Sequence, residues 1–186
     1  MYLEKAAGLY KSYPSDITKL AEHFLRKEDE HYKTYVFDAL PWIPPDARPE
    51  QREKRERKRR YLEALRYQER IVVEEGYVKP KPTICPNCHN QNIVPVQKKV
   101  DVLISVRLVS LAWSKSVDKL LLIAGDSDLV PAVEDVEPSG RIVRLVYLKT
   151  PEVGTSDLLI KACPEKQQMT PQDLMYLKYS KPFPPR

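Results

Sequence analysis

The chain has 186 residues, enough for one compact domain with its own core. Its 31 Lys+Arg against 26 Asp+Glu leave a net charge of +5, a mild basic excess that admits polyanionic partners. No apolar run reaches the roughly 18 residues of a membrane span, no basic-then-apolar leader opens the chain, and three cysteines make no disulfide framework, so no membrane association and a reducing, cytoplasmic location are expected.

In chain order, Tyr2 to Tyr13 reads as a helix with Leu3, Ala6, Ala7 and Tyr10 on one side. Ser15 can cap a second helix whose apolar positions are Ile17, Leu20, Ala21, Phe24 and Leu25, a single sheet-facing stripe. Thr34 to Asp38 is a short strand of branched and aromatic residues that ends in a carboxylate. Leu40 to Pro49 contains Pro41, Pro44, Pro45 and Pro49 and must be irregular. A basic block then opens a long helix to about Arg70, with Tyr61, Leu62 and Leu65 facing inward. Ile71 to Val73 and Gly76 to Val78 predict a strand or two, ended by Pro80 and Pro82, and residues 85–94 predict a small Cys-x-x-Cys loop. From Asp101 to about Lys115 the chain is apolar almost all round, which predicts a helix buried on several sides. Leu120 to Ala124 predicts a strand buried on both faces, followed by a helix to about Val136, a break at Pro138-Ser139-Gly140 and a strand over Ile142 to Leu148. Strand, helix and strand at this spacing form a βαβ unit, hence a parallel sheet. The expected organisation is one domain over 1–150, with a C-terminal extension over 151–186 that holds one more short helix and packs on the domain or trails from it.

The residues with chemical potential cluster at a few points. Asp126 and Asp128 follow an apolar strand, where open α/β sheets gather ligands, and two carboxylates there can hold Mg²⁺ or Mn²⁺. Alternatively, Asp128 or Ser127 caps the next helix. Asp101 either caps the apolar helix or supplies a third carboxylate; with Ser105, Leu108 and Ala112 it forms a stripe that could line a cleft. Cys85 and Cys88, with His89 beside them, are half of a Zn²⁺ site or a reduced pair that stiffens a loop, and Cys163 reads as a packed thiol. Arg52, Lys54, Arg55, Arg57, Lys58, Arg59 and Arg60 can face phosphates, or form a solvated helix face paired with intervening glutamates. No Gly-rich phosphate loop, Gly-x-Ser-x-Gly elbow or histidine triad is found, which disfavours P-loop and serine-hydrolase chemistry.

Taken together, Lys98-Lys99-Val100-Asp101-Val102-Leu103-Ile104 and Leu108-Val109-Ser110-Leu111-Ala112 resemble a signature of the NYN domain family, more narrowly its LabA/DUF88 branch among the PIN-like nucleases. Gly125-Asp126-Ser127-Asp128-Leu129-Val130-Pro131 resembles the same family's acidic turn, and the Cys-x-x-Cys pair is a feature of some members. The resemblance implies a Rossmann-like, PIN-like three-layer α/β fold with a mainly parallel central sheet. It also implies metal-dependent cleavage of RNA, with Asp101, Asp126 and Asp128 as catalytic metal ligands and self-association left open. Three departures stand out. The family's first strand, ending in a central Asp, is missing, from which an N-terminally incomplete chain is expected. Arg107 stands where a second acid is usual, able to pair with a phosphate but not to ligate a cation, and Lys98-Lys99-Val100 replaces Lys-Gly-Val. The expected function is a Mg²⁺- or Mn²⁺-dependent ribonuclease; the alternative is an RNA-binding or regulatory protein on the same scaffold that has lost hydrolysis.

Overall fold

A computed structural model describes residues 16–87, 89–150, 153–170 and 172–173. The expected helix over Tyr2 to Tyr13 and the Ser15 cap lie outside them. The chain divides into two compact units: Met1–Thr34 with Ile104–Arg186, and Tyr35–Leu103.

The first unit is built on helix α1 (Ile17–Phe24) and a parallel sheet. Asp16 supplies the cap of α1, its carboxylate accepting from the Lys19 amide at 3.2 Å. Ile17, Leu20, Ala21 and Phe24 are buried, as their helical spacing predicts. Three strands, β5 (Lys119–Ile123), β6 (Ile142–Tyr147) and β7 (Glu165–Gln168), pair in that order and in parallel. Helix α4 (Val130–Val136) joins β5 to β6, and α5 (Asp157–Ala162) joins β6 to β7, so the predicted βαβ unit is extended by a second. Between α4 and β6, Gly140 takes φ 75°, the left-handed conformation that ends the preceding turn. Leu120 and Leu122 of β5, Val143 and Leu145 of β6, Ala132, Val133 and Val136 of α4 and Leu159 of α5 close one core. On the opposite face of β6, Arg144 is buried; its Nη1 lies 3.5 Å from Asp29, which also meets Lys119 at 3.4 Å. The Arg26 amide, with Lys119 and Arg144, holds the Asp29 carboxyl below its ordinary value against the opposing effect of burial.

Helix α3 (Val100–Trp113) begins in the second unit and continues in the first. It was expected to be buried on several sides, yet Val102, Val106 and Trp113 are exposed by 63%, 62% and 53%. An apolar run has no phase of its own, so composition overstated how much of this helix is covered. Leu108 and Ala112 lie in the core, which removes them from any cleft-lining stripe.

The second unit contains β1 (Thr34–Asp38), α2 (Pro49–Arg66), β2 (Ile71–Glu75) and a ribbon of β3 (Tyr77–Ile84) and β4 (Gln91–Lys98). β1 pairs with β2, and Tyr61, Leu62 and Leu65 of α2 are buried as predicted. Pro49 opens α2, where a missing amide costs nothing. Pro80 and Pro82 do not end a strand, and residues 85–94 are not all loop: β3 and β4 form an eight-pair antiparallel ribbon. The bonded pair at its tip, the Cys85 amide donating to the Asn90 carbonyl at 2.9 Å, sets the phase. Pro80, Pro82 and Pro95 all fall in the alternate pairs, Pro80↔Pro95 and Pro82↔Ile93, whose amides point away from the ladder.

Gly76 separates β2 from β3 and donates its amide to the Asp38 carbonyl at 2.9 Å. A Cβ there would lie 2.4 Å from the Lys98 carbonyl oxygen and 2.7 Å from Val100 Cγ2. Because backbone cannot swing aside as a side chain can, Gly76→Ala is expected to cost at least about 1–3 kcal/mol. Urea denaturation with an unchanged m-value and a lowered midpoint checks this; an unchanged midpoint refutes it.

Candidate active site

The apolar strand β5 delivers the chain to an acidic turn. Leu120 and Leu122 anchor it in the core, and Leu129, 1% exposed, anchors the far side of the turn. Between these anchors Asp126 and Asp128 are both exposed. Asp126 has extended backbone and caps the short turn Ser127–Leu129: its Oδ1 accepts from the Asp128 amide at 3.1 Å. Asp126 thus caps the turn, and the helix α4 that follows has Leu129 at its N-cap and no side-chain cap, so neither Asp128 nor Ser127 caps it. One oxygen of Asp126 is fixed by this bond, while the Asp128 carboxylate lies one step further along the same exposed turn.

The carboxyl ends of β5 and β6 share this edge. The Gly125 carbonyl accepts from the Ser156 amide at 2.9 Å, tying the start of α5 to the end of β5. Ser156 caps α5 by accepting from the Leu158 amide, and Asp157 follows it, 2.8 Å from Lys149 just after β6. Their mutual hydrogen bond raises the Lys149 amine and lowers the Asp157 carboxyl from their ordinary values. Asp157 carries little signal in the sequence. Its one signal was a Ser-Asp pair opening the helix of a second strand–helix crossover.

The other candidates fall elsewhere. Asp101 is exposed in the first turn of α3 and has an interaction partner; it belongs to the second unit. Arg107, half-buried in α3 and also engaged, belongs to the first. Among the described residues no three His, Cys, Asp or Glu side chains converge as a metal cluster. At the ribbon tip Cys85 is half-buried, and His89 is exposed at φ 54° with its amide on the Cys85 carbonyl at 2.9 Å. Cys88, the other thiol of the expected zinc half-site, lies outside the described residues.

Most of the basic block has partners within the chain. Lys58 is 7% exposed and paired with the equally buried Asp38 at the end of β1. Arg52 donates to the Ala47 and Pro45 carbonyls at 3.0 and 2.9 Å, and Arg55 donates to Pro41, so both brace the Pro-rich connection. Arg57 pairs with Glu53, and Arg59 with Glu56 and Glu63, along the helix. Lys54 and Arg60 are exposed.

Cys163, at the end of α5, is wholly buried, and burial pushes its thiol up to about 11. It should resist a thiol reagent such as dithionitrobenzoate at pH 8 in the native protein and react on unfolding. Cys163→Ser should leave the native count of reactive thiols unchanged and lower the denatured count by one.

A mixed α/β chain with a parallel sheet, helical crossovers and an acidic turn at the sheet's carboxyl edge has the architecture of the PIN-like nucleases. The chain belongs to the NYN domain family, whose model matches residues 9–169, through the end of β7. NYN domains are part of the PIN-like nuclease superfamily and act on RNA. A comparison with curated proteins gives no match. Among the described residues no helix is long and apolar enough to cross a membrane.

Proposed function

We propose that this protein is a cytoplasmic, metal-dependent ribonuclease of the LabA/DUF88-like branch, with Asp126 and Asp128 as its central acidic pair. The observation that carries the reading is the acidic turn itself. An apolar strand and a buried leucine clamp two exposed carboxylates at the carboxyl edge of a parallel sheet. This donor set, hard oxygens on the solvent side of a fixed turn, fits Mg²⁺ or Mn²⁺, which keep several waters and take few protein ligands. When bound, such a cation supplies an activated water and neutralises charge developing on a phosphodiester. The chain's own contribution is to fix Asp126 through its cap, to hold both carboxylates on the exposed side of the turn, and to place Lys149 on the same edge, where it can meet a phosphate. Asp101 remains the third acidic candidate from the sequence and is tested beside them.

A second reading, RNA binding without hydrolysis, is favoured by Arg107, which puts a guanidinium where the family has an acid. Incubation of labelled RNA with Mn²⁺ separates the two. Cleavage by the protein that is lost in Asp126→Asn supports the nuclease. RNA binding with no cleavage in Mg²⁺ or Mn²⁺ supports the second reading.

A further inference from the structure

We propose that the β3–β4 ribbon is a single-stranded RNA-binding surface; the proposal rests on the RNA reading above and assigns that reading a second, separate contact. Antiparallel register places directly opposed residues on one face, alternating along the ribbon. One face therefore carries Tyr77, Lys79, Lys81 and Thr83 opposite Lys98, Val96, Val94 and Asn92, while the other presents Pro82, Ile84, Ile93 and Pro95. Lys79, Lys81 and Lys98 are all exposed. At the ribbon's base a fourth charge is added: Lys99 Nζ lies 5.4 Å from the centre of the exposed Tyr77 ring.

No Asp or Glu occurs between Gly76 and Val100, so four lysines and no acid give this segment +4 with histidine neutral. The basic helix α2 has an equal excess, but its cations interleave with Glu50, Glu53, Glu56 and Glu63, and most of them are engaged by glutamates, by carbonyls or by Asp38. A phosphate approaching α2 must displace those partners and meet their carboxylates. On the ribbon it meets lysines for which no ion pair is found among the described residues. Lys79 and Lys81, two residues apart on one face, stand about 7 Å from each other, near the spacing of successive phosphates in a stretched strand. A row of exposed lysines with an aromatic ring at one end suits a single strand and reads no sequence.

The test is fluorescence anisotropy of a labelled 20-nucleotide uridine oligomer, titrated at several salt concentrations with EDTA present to prevent cleavage. Changing Lys79, Lys81 and Lys98 together to Ala should weaken binding about tenfold or more and lower the slope of log affinity against log salt by about 2, the counterion release of three single-strand contacts. Changing all three to Arg should restore both. Unchanged affinity and slope in the alanine variant overturn the ribbon proposal while leaving the RNA reading in place. Equal losses in the alanine and arginine variants also overturn it, because a charge contact survives Lys→Arg. A wild-type protein that binds no RNA defeats the RNA reading and the ribbon with it.

Discussion

Asp126→Asn is expected to lower Mn²⁺-dependent RNA cleavage by at least about a hundredfold, the scale of losing one preorganised electrostatic group at a reacting centre. The substitution is chosen because Asp126 has two tasks. Its Oδ1 caps the turn by accepting from the Asp128 amide, and an asparagine oxygen caps as well as an aspartate. The amide carries no charge, however, and is a poorer partner for a divalent cation. Asp126→Asn should thus lose activity at an unchanged melting temperature. Asp126→Ala should lose activity and also about 1 kcal/mol of stability, the value of a cap. The Asp128 carboxylate makes no bond within the turn among the described residues, so Asp128→Asn should lose activity alone. Metal-free affinity for RNA should hold or rise in both asparagine variants, since each removes a negative charge facing a polyanion. Cleavage that persists in Asp126→Asn removes this turn from the active site.

The parts of the fold that were legible are those whose local chemistry and tertiary role agree. β5, α4 and β6 announce themselves through an apolar run, Gly125, Pro131 and Gly140, and their parallel pairing follows from the short crossover. The inward face of α2 was equally plain, because Tyr61, Leu62 and Leu65 break an otherwise charged helix. β7 was illegible for a physical reason: Glu165–Gln168 is a four-residue, mostly exposed edge whose polar side chains carry no burial pattern, and its ladder is made by backbone alone. The ribbon was hidden by prolines that normally exclude strands, and only the register reveals that they sit at amides the ladder does not use. In the site, the acidic turn was readable, but which residue caps it was not, because Asp126, Ser127 and Asp128 are all capable caps. Asp157 required the fold, since it is the Ser156–Gly125 bond and the packing of Leu159 that bring its helix to β5.

Lys58 shows where charge patterning alone misleads, and it makes the second large prediction. In sequence it is one cation among the seven of the 52–60 block; in the fold it is buried and held by Asp38, which also accepts from the Ala39 amide at 2.8 Å. The pair fastens α2 to the end of β1, next to the Asp38 carbonyl that receives the Gly76 amide. Removing one member of a buried ion pair leaves the other charged and desolvated, which costs about 3–5 kcal/mol. Lys58→Met should therefore lower the unfolding free energy by that amount, whereas Arg60→Ala, on the exposed side, should change it by no more than about 0.5 kcal/mol. Replacing both partners, Lys58→Met with Asp38→Leu, should recover much of the loss, because an apolar pair leaves no orphan charge. A double-mutant cycle by urea denaturation measures that coupling. RNA affinity of Lys58→Met, taken where the variant is still folded, should match the parent, since a buried ammonium cannot reach a phosphate. Full stability combined with weakened RNA binding would instead return Lys58 to the surface contacts.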